Sequence, residues 1–296
     1  MKKEIRKNSW QAWLLAARPK TLTGAAIPVI CATALAVSDG QFRPVPAAVC
    51  LLFACLMQIA ANLINDLFDF LKGSDRPDRL GPERACAQGW ISVEAMRRGI
   101  VVVLVAACLC GLLLLSYGNA LVLVGIGLAC VIFAFLYTTL LSYCGFGDLL
   151  VLVFFGIVPV LGTYYVQTAD VSREALLVAF VCGLLIDTLL ILNNYRDRET
   201  DRRSGKRTLI ALWGEKFGRY FYLAMGLVSW ALCAGFLAEG KVWAFVLPTL
   251  YVPLHVWTWH RMVQIGSGKA LNAILGETSR NMLLFALLLS AGLLLN

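Results

Sequence analysis

The amino-acid sequence predicts an all-α protein, a polytopic membrane helical bundle of about nine transmembrane helices, and three observations predict it. Of 296 residues, 59% are hydrophobic and 15% charged, with a mean hydropathy of +0.75, whereas soluble domains carry about a quarter charged residues. The apolar residues form continuous runs close to the roughly 20 needed to cross a bilayer, not the alternation of barrel strands. The 26 Lys and Arg residues collect in alternate loops. Helices suit such runs because in lipid each backbone polar group needs an internal partner.

In chain order, the N-terminal segment 1–20 carries six basic residues and leads into the first apolar run, 21–38. The basic stretch reaching Lys20, with eight further apolar runs behind it, argues against a cleaved secretory signal. Arg43 stands alone before the second run, 45–68, and six basic residues fill 69–98. The third and fourth runs, 97–116 and 119–137, precede a segment from Tyr137 to Asp148 that lacks Lys and Arg. Asp148, after Gly145-Phe-Gly147, is placed to cap the fifth run, 147–167. Arg173 marks the turn into the sixth, 174–194, which carries an acid, Asp187, in its middle. Eight basic residues lie in 194–219, and the seventh run, 218–237, is separated from the eighth, 242–261, by Lys241 alone. His255 and His260 in the eighth run lack metal-ligand company and read as structural. Glu277 and Arg280, three apart, read as a local ion pair before the ninth run, 279–296.

The basic residues map onto topology: 23 of the 26 fall in the N-terminal segment and the even loops, so the positive-inside rule places these in the cytoplasm and the C-terminus outside. The net charge of +8 is therefore tied to helix ends, where lipid headgroups and a phosphate substrate are nearer anions than nucleic acid. No nucleic-acid partner is expected. Eight of the ten cysteines fall in apolar runs and there is no C-x-x-C pair, so neither a disulfide framework nor a zinc site is expected.

Two polar clusters stand at cytoplasmic helix ends. Asn62, Asp66 and Asp69 are spaced to share one helical face, with Asn65, Lys72 and Asp75 close by. Asn193, Asp197 and Asp201 step by four in the second cluster, beside Asn194, Arg196, Lys206 and Arg207. Either cluster alone suits a solvated loop. Two matching Asn/Asp arrays on one membrane side suit hard, oxygen-ligated cations bridging to a diphosphate, with Lys72, Arg196, Lys206 and Arg207 neutralising the remaining phosphate charge.

With these clusters the chain resembles the UbiA superfamily of intramembrane prenyltransferases, and within it the branch that prenylates 1,4-dihydroxy-2-naphthoate. The resemblance runs through Arg18-Pro19-Lys20-Thr21-Leu22, the Asn62 to Asp75 array and Arg79-Leu-Gly81-Pro82-Glu83-Arg84-Ala85. It continues through Gly145-Phe-Gly147-Asp148 to Asn193-Asn194-x-Arg196-Asp197-x-x-x-Asp201-x-x-x-Gly205-Lys206-Arg207-Thr208-Leu209 and Leu271-Asn272. Gly73 stands where the superfamily has its last acid of the first motif, and Asp75 supplies one two residues later, as in the naphthoate branch.

The resemblance implies one UbiA-type prenyltransferase domain over 1–296 in a bacterial cytoplasmic (inner) membrane. It implies transfer of a polyprenyl group from polyprenyl diphosphate to 1,4-dihydroxy-2-naphthoate, with loss of CO2 and diphosphate, through magnesium-assisted ionisation to an allylic cation. Manganese is the alternative metal. Asp66, Asp69, Asp75, Asp197 and Asp201 would hold the metal. Asn62, Asn65 and Asn194 would place the diphosphate, and Lys20, Lys72, Arg84, Arg196, Lys206 and Arg207 would pair with substrate charge. Tyr137, Tyr164 and Tyr165 would face the cation or simply pack, and Asp187 would extend the polar cavity or pair with a neighbouring hydroxyl. The rivals are transfer to 4-hydroxybenzoate or homogentisate and, in another class, a membrane transporter. Chain length and oligomeric state are not legible.

Overall fold

Runs of Leu, Val, Ala and Ile without interruption by charge leave the backbone no stable option in lipid but the helix, and the computed structural model shows helices throughout its described residues, 5–73, 79–139, 141 and 145–295. Asp75 lies outside them. Helix α1 (Trp10–Ala17), capped by the Ser9 hydroxyl, turns through Pro19–Thr21 into α2 (Leu22–Ser38). Arg18 at this turn holds a left-handed φ of 52°. Helices α3 (Pro44–Leu71), α4 (Val93–Leu114) and α5 (Ala120–Thr139) follow. The next stretch joins α6 (Gly147–Val151) through a π-helical segment at 152–157 to α7 (Val158–Thr168).

Helix α8 runs from Arg173 to Arg203 and α9 from Leu209 to Leu232, capped by Ser172 and Thr208. The short α10 (Trp243–Val246) continues through a 3₁₀ turn into α11 (Tyr251–Ile265), and α12 (Leu271–Leu294) closes the chain.

Nine helical stretches thus correspond to the nine apolar runs. Seven are long and apolar enough to cross a membrane by composition; the last two carry His255, His260 and Arg261, and Glu277, Arg280 and Asn281, which dilute them. Helix α12 nonetheless packs along α2 and α8 and is buried on one face from Leu271 to Leu293. The principal core joins α2, α7, α8 and α12 around Leu35, Leu185 and Phe285. Exposed Val101, Leu109, Leu113, Leu121 and Leu128 on α4 and α5 form a lipid-facing surface.

Small residues set the tightest packing. A Cβ on Gly156 of the π-helical segment would sit 2.5 Å from the Ala179 carbonyl, and one on Gly183 of α8 would clash with Leu152. This close approach brings the start of α6 against α8.

Two local expectations are corrected. Glu277 pairs with Arg261 across from α11, while Arg280 donates to Asn281, because antiparallel neighbours offer a better partner than the next turn. Asp148 lies inside the first turn of α6, and the N-cap position is taken by Phe146. His255 is structural as read: it stacks between Tyr222 and Tyr251 and its ring nitrogens meet the Tyr251 hydroxyl and the Leu223 carbonyl.

Candidate active site

Helices α3 and α8 both continue past their apolar stretches, so each polar array lies on a helix end rather than in a loop. On α3 the array is largely committed to the protein itself. The Asn62 amide donates to the Ala17 carbonyl and to Thr21 Oγ1, both at 2.9 Å, which ties α3 to the α1–α2 turn. Asp66 is 1% exposed and accepts the backbone amides of Ala85 (2.8 Å) and Cys86 (3.0 Å), one on each oxygen. Its charge fastens the 79–89 loop over the helix end. The sequence pattern would put Asn62 on the diphosphate and Asp66 on the metal; in the structure both side chains are hydrogen-bonded to the protein itself.

One turn further, Asp69 Oδ2 pairs with Arg84 Nη2 at 2.6 Å. Asn65 Oδ1 is buried with no hydrogen-bond partner among the described residues. The guanidinium of Arg18 lies within electrostatic reach of Asp66, Asp69, Arg79 and Arg84. Sequence reading quoted Arg18 but gave it no role; its place before a Pro that breaks the helix was the available signal.

The α8 array is more open. Asn193 spends its amide on the Leu189 carbonyl (2.9 Å), whereas buried Asn194 faces a narrow cleft with Tyr137, Asp148, Leu190 and Lys206. Arg196 grips Asp197 through two bonds, Nε to Oδ1 at 2.8 Å and Nη2 to Oδ2 at 2.6 Å. Its third nitrogen donates to Asn272 Oδ1 (2.8 Å), and the Asn272 amide donates to the Leu80 carbonyl (2.8 Å). Thus α8, the first turn of α12 and the loop after α3 are joined in one chain of polar contacts. Asn272 was legible only as a motif residue, since nothing in its neighbourhood pairs it with residues 192 positions away.

Asp201 Oδ1 lies 3.9 Å from Lys206 Nζ, while Oδ2 is buried without a partner among the described residues. Asp201 is within electrostatic reach of Asp69 as well as of Asp197, Arg196 and Lys206, so the two helix ends share one field. Gly145, at φ +83°, lets the backbone before α6 approach the Arg207 carbonyl, where a Cβ would come to 2.8 Å. The Arg207 side chain, like those of Lys20 and Lys72, is exposed.

Tyr137, half-buried at the end of α5, lies within electrostatic reach of Asp69, Asp201, Asp148 and Asp187. Tyr164 and Tyr165 lie far from this centre. Tyr164 donates to Asp39 (2.6 Å) and Tyr165 accepts the Asn119 amide (3.0 Å), contacts at the opposite end of the bundle beside Lys241.

No three His, Cys, Asp or Glu side chains among the described residues form a ready-made metal cage. Magnesium does not require one: it keeps water and substrate oxygens and takes one or two carboxylates. The partnerless oxygens of Asp201 and Asn65, with Asp69 and Asp197 held by arginines, fit that demand.

A sequence profile of the UbiA prenyltransferase family matches residues 25–294. The chain is 35% identical to the 1,4-dihydroxy-2-naphthoate octaprenyltransferase of Escherichia coli K12, over 97% of this chain and 96% of that one. It is 29% identical to the enzyme of the same name from Bacillus subtilis 168, over 94% and 91%. Among solved structures, an apo UbiA homolog from Aeropyrum pernix K1 superposes with a TM-score of 0.69 at 16% identity, covering 92% of this chain and 97% of that one. A UbiA homolog from Archaeoglobus fulgidus bound to GPP and Mg2+ gives 0.68 at 16% identity, over 96% and 100%.

Proposed function

The chain belongs to the UbiA prenyltransferase family, and we propose that it transfers a polyprenyl group from its diphosphate to 1,4-dihydroxy-2-naphthoate, with loss of CO2 and diphosphate. The observation that carries the site assignment is the chain of polar contacts that ties α8 to the loop after α3, from Asp197 through Arg196 and Asn272 to the Leu80 carbonyl, together with the Asp201 oxygen that is buried without a partner among the described residues. Asp69, Asp197 and Asp201, with Asn65, would hold the metal; magnesium is the reading taken, as in the bound archaeal homolog. When bound, such a cation acts as Lewis acid on the departing diphosphate.

The remaining work falls to the protein's own residues. Arg84 and Arg196 pair with Asp69 and Asp197, which sets their guanidinium groups beside the carboxylates where they can also donate to phosphate oxygens. Lys206 stands beside Asp201 to meet negative charge as the allylic C–O bond breaks. Tyr137 and Leu190 line the cleft in which the cation meets the ring and help exclude water, which would otherwise capture the cation.

The distribution of Lys and Arg supports a cytoplasmic N-terminus and site with the C-terminus outside, in a bacterial inner membrane. The whole chain forms one catalytic unit in that membrane.

The test is prenyl transfer by detergent-solubilised protein with magnesium, a polyprenyl diphosphate and either the naphthoate or 4-hydroxybenzoate. Product from the naphthoate alone, abolished by chelation, is expected. Product from 4-hydroxybenzoate alone would retain the metal site and overturn the acceptor.

A further inference from the structure

Asp187, on α8, is a buried carboxyl group near the site that takes no part in the chemistry above. It is 3% exposed, and its Oδ1 is buried with no hydrogen-bond partner among the described residues. A buried polar atom left without a partner costs stability, so its retention points to a ligand. Asp187 lies three and seven residues before Leu190 and Asn194, which line the cleft, and so belongs to the same stripe of α8, deeper in the bundle. Asp148, across the cleft on α6, is close enough for its charge to act on Asp187, and the Tyr137 hydroxyl lies within reach of both.

The stripe of α8 beside the cleft is therefore polar at two levels. Asn194, with Lys206, lines the cleft nearer the end of the helix. The partnerless carboxyl oxygen of Asp187 stands roughly 10 Å deeper, seven residues along a helix that rises about 1.5 Å per residue. The Asn194 amide at one level can donate to a carboxylate; acceptor oxygens at the other suit hydroxyl donors. That polarity matches a hydroxylated aryl acid lying with its carboxylate outward and a ring hydroxyl inward.

Resting on the acceptor reading above, we infer that Asp187, backed by Asp148, forms the subsite for the acceptor's ring hydroxyl distal to its carboxylate, and so determines acceptor specificity. A site built to bond a hydroxyl rejects an analogue lacking it, because its own buried polar group is then stranded. The hydroxyl supplies the bond that Asp187 Oδ1 lacks.

The experiment compares 1,4-dihydroxy-2-naphthoate with 1-hydroxy-2-naphthoate, which lacks the distal hydroxyl, in wild type, Asp187→Asn and Asp187→Leu. Removing that hydroxyl changes ring reactivity equally for all three proteins, so the ratio of kcat/KM values isolates the contact. The wild-type preference for the dihydroxy acid is expected to fall by about tenfold or more in Asp187→Leu, with KM for the prenyl diphosphate unchanged and a smaller fall in Asp187→Asn. Competitive displacement by unreactive naphthoates gives the same ratio as binding constants if a variant turns over too slowly. A ratio within about threefold of wild type in both variants overturns the inference. Absence of naphthoate prenylation by wild type would instead overturn the acceptor reading itself.

Discussion

Two helix ends with nearly the same sequence pattern are used differently. On α3, Asn62 and Asp66 are bonded to the protein's own backbone and hydroxyls, while Asp69 pairs with Arg84 and Asn65 Oδ1 is buried without a partner among the described residues. On α8, only Asn193 turns inward to its own helix, while Asn194 lines the cleft, Asp197 is held by a single arginine and Asp201 keeps an unpartnered oxygen. Equal spacing of polar residues therefore does not mean equal function. The first array is tied mostly to backbone and to the 79–89 loop; the second keeps more of its polar atoms open.

The strongest way to break this contrast is to remove the carboxylates that it leaves for the ligand. Asp201→Asn and Asp69→Asn are each expected to lower kcat by on the order of 10²–10³-fold, the usual effect of losing one preorganised electrostatic group, with thermal unfolding in detergent little changed. Asp66 should behave in the opposite way. Asp66→Ala strands two buried amides and is expected to cost about 2–4 kcal/mol, visible as a lower midpoint of thermal unfolding. The milder Asp66→Asn should leave the magnesium concentration for half-maximal activity where wild type has it. A large upward shift there would return Asp66 to the metal and erase the distinction between the arrays.

Asn272→Ala sharpens the comparison further, since it cuts the link between Arg196 and the loop after α3 without touching a carboxylate. An increase of roughly tenfold in KM for the prenyl diphosphate is expected, corresponding to about one buried hydrogen bond. Smallest of all, Thr208→Ala removes the N-cap of α9 beside Lys206 and should cost about 1 kcal/mol in unfolding experiments with kcat nearly unchanged.

The helices and their membrane order were legible because lipid enforces a simple rule: continuous apolar runs become helices, and charge marks their ends. Both arrays were legible as well, since few polar residues stand so close to membrane depth. Their division of labour was not. Whether Asp66 meets a metal or the amides of Ala85 and Cys86 depends on where the 79–89 loop folds, a contact across some 20 positions that helical periodicity does not encode. The same holds for Asn272, joined to Leu80 only by tertiary packing, and for Glu277, whose partner Arg261 belongs to the preceding helix. For Tyr164 and Tyr165 the sequence left open whether they face the cation or pack, and α7 carries them to contacts with Asp39 and Asn119 at the opposite end of the bundle.

The central claim is that Asp69 and Asp201 serve one shared metal–diphosphate site. Calorimetric binding of an unreactive prenyl thiodiphosphate, with and without magnesium, measures it directly in wild type, Asp69→Asn, Asp201→Asn and the double variant. If the site is shared, each single variant loses most of the magnesium-dependent affinity and the double variant loses little more. Losses that simply add, or binding that ignores magnesium in wild type, would contradict it.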